Sequence, residues 1–347
     1  MIKHLIWLCL IPLGSHSLAQ NPQPLTLEVL EAQQKVEVYC GAELFTAYRY
    51  DKDLEKPVLF PVNAPGAIAL TRGFPLEPRA KERTDHPHHV GLWFNYGDVN
   101  GFDFWNNSRA VPEERKANYG RIVHQEILEA TSVKNRGILK VSMDWLAPDH
   151  EQAEKLLEEE TTYIFMAMDR IRWIDRITRL TAVSDSVVFT DNKEGMLAIR
   201  VDRAFEHPAE TPLLLTDANG NPTEVKVMDN EGVNGWYLNS EGDQGPAAWG
   251  KNARWVKLSG EKQGQSCSML LMDHPQNLNY PACWHARGYG LFSINNLGRS
   301  VYNKELDGFQ LILEKGESLV FRHRFVAADM DLNEVQIETL YQDFISE

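Results

Sequence analysis

Two stretches of this chain concentrate side chains that can move protons or hold a ligand. The first reads Asp85-His86-Pro87-His88-His89. Imidazole titrates near neutral pH, so small shifts in its environment are enough to make it a proton carrier. Pro87 removes a backbone donor, which places the cluster in a loop or at a strand edge. If the segment is extended, His86 and His88 point to one side and His89 to the other. Two imidazoles on one side can ligate a metal, or serve as a general base with a partner. The second stretch reads Asp273-His274-Pro275-Gln276-Asn277 and continues through Tyr280-Pro281 to Trp284-His285-Ala286-Arg287-Gly288-Tyr289. His285 and Arg287 would share a face there, and two His-rich loops can meet at one end of a sandwich. A third segment, Asn192-Lys193-Glu194-Gly195-Met196, is a charged turn opening a strand that contains Arg200. Glu194 could act there as acid or base. The plainer alternatives are hydrogen-bonded corners under aromatics and a solvated turn carboxylate. Glu158-Glu159-Glu160 reads as a solvated strand start.

Aromatic residues crowd the stretch after the first histidines: Trp93, Phe94, Tyr96, Phe102, Phe104 and Trp105, with Gly91, Gly97 and Gly101 between them. A sugar presents an apolar C–H face and a rim of hydroxyls. A pocket for one combines a flat ring with carboxylate, amide and imidazole partners. Asp98, Asn100, Asp103 and Asn106 supply such partners. For Trp93 and Phe104, filling the core is the better reading. The candidate catalytic set is therefore His86, His88, His274, His285, Glu194 and Arg287. The candidate substrate-binding set is Trp93, Tyr96, Asp98, Asn100, Trp105, Lys193, Arg200 and Trp284. His-x-His-His without a defined third ligand is a weak metal signal, so no metal and no cofactor is assigned.

Strands must position these groups. Leu25–Leu30 and residues 35–39 alternate apolar with polar, and similar alternation recurs in 122–128, 138–145, 161–166, 171–180 and 196–201. It returns in 255–258, 268–272, 309–313 and 319–326. More than ten strands without interleaved helices point to an all-β fold, a large antiparallel β-sandwich. One helix is expected at the end, capped by Asp331 with Glu334 three residues on, and with Val335, Ile337, Leu340, Tyr341 and Phe344 on its apolar side. No linker divides the chain, so residues 20–347 are expected to form a single domain.

Residues 1–19 read as a cleaved signal peptide: Lys3 and His4, a short apolar run to Leu13, then Ser17-Leu18-Ala19. A secreted, periplasmic protein without membrane insertion follows. The net charge of -14 argues against a nucleic-acid partner, which needs a basic footprint. Cys40, Cys267 and Cys283 remain after cleavage, with no CxxC pair, and buried free thiols are expected.

The blocks DHPHHVGLWFNYGDVNGFDFW, NKEGMLAIR and DHPQNLNYPACWHARGYGLFSIN resemble the signatures of a bacterial PmoA-like family of unknown function, often labelled methane oxygenase PmoA. Shorter matches are KPVLFPVNAPGAIALTRGFP and RIVHQE around His124; together they run from about residue 45 to the final strand. Leu313 to Ser318 and Arg322-His323-Arg324-Phe325 resemble the turn and last strand of the galactose-mutarotase-like supersandwich. That resemblance implies His and Glu side chains around a sugar on a concave sheet face, for which His86, His88, His274, His285 and Glu194 are the candidates. The leading expectation is a carbohydrate-active protein that acts on or binds a small sugar or glycan through His/Glu acid–base chemistry of the epimerase, lyase or hydrolase type. A non-catalytic glycan-binding module and a His-ligated metal protein are the alternatives.

Overall fold

The structure is a computed structural model that describes residues 21–148 and 153–346; the leader expected at 1–19 lies outside them. Two large antiparallel sheets carry the fold. From edge to edge the first runs Leu25–Leu30, Lys35–Cys40, Glu43–Arg49, Val58–Ala64, Leu92–Tyr96, Gly195–Arg200, Leu291–Asn295 and Cys283–Arg287, with Ile68–Ala69 beside Val58–Ala64. The second runs Trp236–Asn239, Trp255–Lys262, Gln265–Asp273, Ser318–Ala328, Ile171–Ala182, Glu154–Ala167, Arg136–Ala147 and Arg121–Val133. A two-stranded sheet pairs Ser186–Thr190 with Gln310–Glu314. The fold is the antiparallel β-sandwich with one C-terminal helix that the strand pattern implied.

The two sheets differ in how they use their faces. Strand Arg136–Ala147 buries every second residue, so its alternation in the sequence reports a half-buried strand. Its inner residues Leu139, Val141, Met143 and Trp145 join Phe94, Leu197 and Phe292 of the first sheet in one core. Trp145 meets Phe94 edge-on at 6.4 Å between ring centroids. Strands Leu92–Tyr96, Gly195–Arg200 and Leu291–Asn295 are buried along their whole length. Their second face carries Trp93, Ala198 and Leu291, which pack with Val58, Phe60, Val90 and Trp105 in a separate apolar cluster. That cluster floors the site described below.

Three expectations need correction. Asp331 does not cap the helix, which spans Glu334–Ser346. Asn333 does: its side chain accepts from Gln336 N, while the Gln336 side chain accepts from Asn333 N, both at 3.0 Å. Asp331 instead pairs with Lys257 at 2.8 Å. Val335 is exposed, whereas Ile337, Leu340, Tyr341 and Phe344 pack on the second sheet as expected. Glu159 is not a solvated charge. It is buried against Arg176 at 2.5 Å and accepts from Trp145 Nε1 and Thr161 Oγ1. The strand alternation turns it inward while Glu158 and Glu160 face water. Cys40, Cys267 and Cys283 are free and buried, and burial pushes each thiol up to about 11. Among the described residues no helix is long and apolar enough to cross a membrane.

Candidate functional site

Pro87 turns the first histidine stretch back on itself. His89 N donates to His86 O at 3.0 Å, so the segment is a tight turn with proline in its second position, not an extended strand. His86 and His89 consequently stack in parallel, 4.8 Å apart and 3° from coplanar, and His88 stands edge-on to both. His86 holds a φ of 45°, a left-handed conformation uncommon outside glycine. Gly91 closes the loop at φ +62°; a Cβ there would lie 2.3 Å from Leu59 O.

A buried guanidinium organises the turn. Arg72 Nη1 donates to Asp85 O at 2.8 Å, to Asp85 Oδ1 at 3.0 Å and to Arg83 O at 3.2 Å. Its Nη2 donates to His86 O at 2.9 Å and His89 O at 3.1 Å. Lys56 Nζ, over the face of Trp93, donates to His88 O at 2.9 Å. Burial lowers the Lys56 ammonium to about 7 and, together with the neighbouring Arg200, the Arg72 guanidinium to about 9. Asp85 completes the framework: Arg200 Nη2 lies 2.6 Å and Arg72 Nη1 3.0 Å from its Oδ1. Burial opposes its ionisation, yet His86, Arg200 and Arg72 outweigh it and hold the carboxyl well below the usual range. His86 Nδ1 sits 3.1 Å from Asp85 Oδ2, an ion-pair distance without hydrogen-bond alignment.

Above this framework lies a cleft of about 360 Å³ on the outer face of the first sheet. The histidine turn, Trp105 and Asn106 form one part of its wall; Lys193 and Glu194, His285 and Arg287, and Tyr289 form the rest. Strand register explains the convergence. His285 pairs with Ser293, Ser293 with Ala198 and Ala198 with Trp93, so all four residues share the face that Trp93 floors. Glu194 receives a hydrogen bond from Asn106 Nδ2 at 2.6 Å and an ion pair from Lys193; the same Asn106 nitrogen reaches Asp103 at 2.7 Å. Tyr289 stacks on His86 at 5.0 Å and covers Arg200.

His88, His89 and His285 are held neutral, which corrects the argument from the unperturbed pKa of imidazole. Burial first, then Lys56, His86, Arg200 and Arg72, push His88 far down. His89 is driven down in the same way by burial and then by His88 and Arg200. Burial, Lys193 and Arg287 lower His285 to about 3. Arg200 Nη1 lies 3.2 Å from His89 Nδ1, and a guanidinium only donates, so His89 keeps its proton on Nε2. That Nε2, His88 Nε2 and His285 Nδ1 are buried without a hydrogen-bond partner. Among the described residues no three His, Cys, Asp or Glu side chains are disposed to hold a metal ion.

The structure thus gathers His86, His88, His285, Glu194, Arg287, Lys193 and Trp105 around one cleft. It does not bring the remaining candidates there. His274 accepts from Gln276 N at 3.1 Å and packs edge-on against Phe344 of the helix, on the second sheet. Trp93 is fully buried beneath His89. Trp284 turns to the opposite face and donates to Ala253 O. Tyr96 holds the 192–194 turn from below, accepting from Asn192 N at 2.9 Å and donating to Thr190 O at 2.8 Å. Asp98 caps Gly101 N, and Asn100 bonds the Ser186–Thr190 strand. Arg200 is wholly enclosed and acts on His89 and Asp85 rather than on the cleft. Residues the sequence reading did not single out are Arg72, Lys56 and Tyr289. Tyr289 stood in the Trp284–Tyr289 run, and Lys56 and Arg72 in the KPVLFPVNAPGAIALTRGFP match, but no role was read from any of them.

A family model described as "Family of unknown function (DUF6807)" matches residues 35–342. The chain belongs to the DUF6807 family. That match does not carry the PmoA-like label suggested by the sequence blocks. No curated protein matches the sequence. Among solved structures, a GH36 α-galactosidase of Geobacillus stearothermophilus in complex with raffinose is similar at 12% identity and a TM-score of 0.37. The match covers 88% of this chain, which spans 41% of the α-galactosidase. A galactose mutarotase-like protein of Clostridium acetobutylicum matches at 11% identity and a TM-score of 0.34, over 89% of this chain and 99% of the other. A putative aldose 1-epimerase of Escherichia coli K12 matches at 10% identity and a TM-score of 0.27, over 88% and 100%. These likenesses are distant, and no activity follows from them.

Proposed function

We propose that this DUF6807 protein is a secreted carbohydrate-active protein whose cleft takes a small sugar or sugar derivative. The observation that carries the reading is the convergence of imidazoles with unpartnered ring nitrogens on one polar cleft beside an aromatic face. Neutral imidazoles offer one donor and one acceptor each, which suits the paired donor–acceptor character of sugar hydroxyls. His86 is the proton-transfer group in this reading: its side chain is 40% exposed, the most open of the cluster, and Asp85 lies beside its Nδ1. Glu194 is the second acid–base group, with Lys193 and Asn106 fixing its carboxylate. The leader expected at residues 1–19 supports work outside the cytoplasm.

Turnover of aldoses, 3-keto sugars and glycosides by the full chain tests this, with His86→Ala and Glu194→Gln alongside. Loss of turnover in both variants, with the thermal midpoint retained, is expected. Full activity in both would remove these residues from the chemistry. A binding module is the second reading, favoured by the depression of His88, His89 and His285, which makes them weak bases. Sugar binding without turnover in every member of the panel selects it.

A further inference from the structure

Of the two cations that line the cleft, Lys193 is paired with Glu194 and Arg287 is left over. Glu194 is engaged by Lys193 and Asn106, and Asp85 by Arg72 and Arg200. Arg287 is exposed at the cleft wall, and among the described residues no carboxylate pairs with its guanidinium. Its Cζ lies 5.8 Å from the centroid of the Trp249 ring and 5.6 Å from that of the Tyr289 ring. Such cation–π contacts leave the N–H donors of the guanidinium uncommitted to a carboxylate.

The surroundings favour an anion as well. Burial is the main cause that lowers His285 and His88, and the neighbouring charges lower them further: Lys193, Arg287 and His86 at His285, and Lys56, His86, Arg200 and Arg72 at His88. The lysines and arginines among these neighbours gather positive charge around the cleft, in a chain of net charge -14. The cleft is a local exception to the charge of the molecule.

Resting on the sugar reading above, we infer that the ligand carries a carboxylate, as a uronic acid does, and that Arg287 receives it. One free planar fork matches a singly charged planar carboxylate through two parallel N–H···O bonds. A phosphate monoester carries nearly two charges and needs further donors, and Lys193 is already committed to Glu194. Arg287 is then a specificity residue that separates an acidic sugar from its neutral parent.

The test is calorimetric binding of paired ligands to the full chain: glucose with glucuronate, galactose with galacturonate, mannose with mannuronate, and glucose 6-phosphate. At least one uronate should bind tenfold or more tightly than its parent aldose, which corresponds to about 1.4 kcal/mol. In Arg287→Gln that ratio should fall to near one with the thermal midpoint retained, any loss common to both members of a pair cancelling in the ratio; Arg287→Lys should restore part of it. A wild-type ratio near one for every pair overturns the inference and leaves the sugar reading standing. So does glucose 6-phosphate binding more tightly than every uronate, or a ratio unchanged in Arg287→Gln. No binding by any ligand of the panel overturns both.

Discussion

In Asp85-His86-Pro87 the aspartate sits between two guanidiniums, whereas in Asp273-His274-Pro275 the same residue accepts only from amides. Asp273 takes hydrogen bonds from Asn277 Nδ2 at 2.7 Å, Ala282 N at 2.8 Å and Asn296 Nδ2 at 3.0 Å. No arginine or lysine pairs with it among the described residues, and its contact with His323 Nε2 is 3.9 Å. Burial therefore wins and raises its carboxyl to about 6, against the hydrogen bonds that would lower it. At Asp85 the charges win and the carboxyl stays low. The histidines diverge in the same way. His86 stands at the cleft wall with 40% of its side chain exposed, while His274 is 4% exposed and locked to Gln276 and Phe344. Three shared residues thus border the proposed cleft in one place and form a buried corner in the other. The difference lies in the counter-charges that the fold delivers.

The strongest way to break the contrast is to remove the counter-charge. Arg72→Met would leave the carbonyls of Arg83, Asp85, His86 and His89 without their buried donor and Asp85 with half its charge pairing. A loss of about 3–5 kcal/mol is expected from breaking a buried pair, read from urea unfolding, together with loss of sugar binding. Stability within about 1 kcal/mol of wild type would show that the turn holds itself.

Exchanging the two histidine corners sharpens the contrast at smaller magnitude. His274→Ala should cost about 1–3 kcal/mol, because it empties a buried contact and orphans Gln276 N, and should leave sugar binding unchanged. His86→Ala should cost less than about 1 kcal/mol and abolish turnover. The reverse pattern would move the site to the second corner. His285→Ala belongs between them, since His285 is 3% exposed and its removal should lower both stability and function.

The smallest effect is in pH. Asp273 binds its proton more tightly in the folded protein than in the unfolded chain, so its contribution to stability falls as pH rises from about 4 to about 6. Asp85 does the opposite: its contribution is present above the ordinary carboxylate range and is lost on acidification below it. Carboxyl-carbon NMR titration reads both groups directly. An Asp273 midpoint at or below the ordinary aspartate value of about 4 would dissolve the distinction.

Legibility followed burial. The long strands of the second sheet, such as Arg136–Ala147, keep one face in the core, and their alternation was readable. Leu92–Tyr96 and Leu291–Asn295 floor the cleft and escaped the periodicity reading, because they are buried on both faces and show no alternation, although Gly195–Arg200, equally buried, was read over 196–201. Glu43–Arg49, the short Ser186–Thr190 and the four-residue Trp236–Asn239 escaped it too.

By itself the sequence determined the all-β class, the closing helix and the presence of His-rich loops, since these follow from local periodicity and composition. Which loop becomes a site was a tertiary decision. Arg200 reaches Asp85 across 115 positions of chain, and Glu206 meets Arg83 across 123. Whether an aspartate keeps its charge, or an imidazole its proton, depends on such partners and on the water they exclude. A residue's neighbours along the chain, such as His86 beside Asp85, supply only part of this.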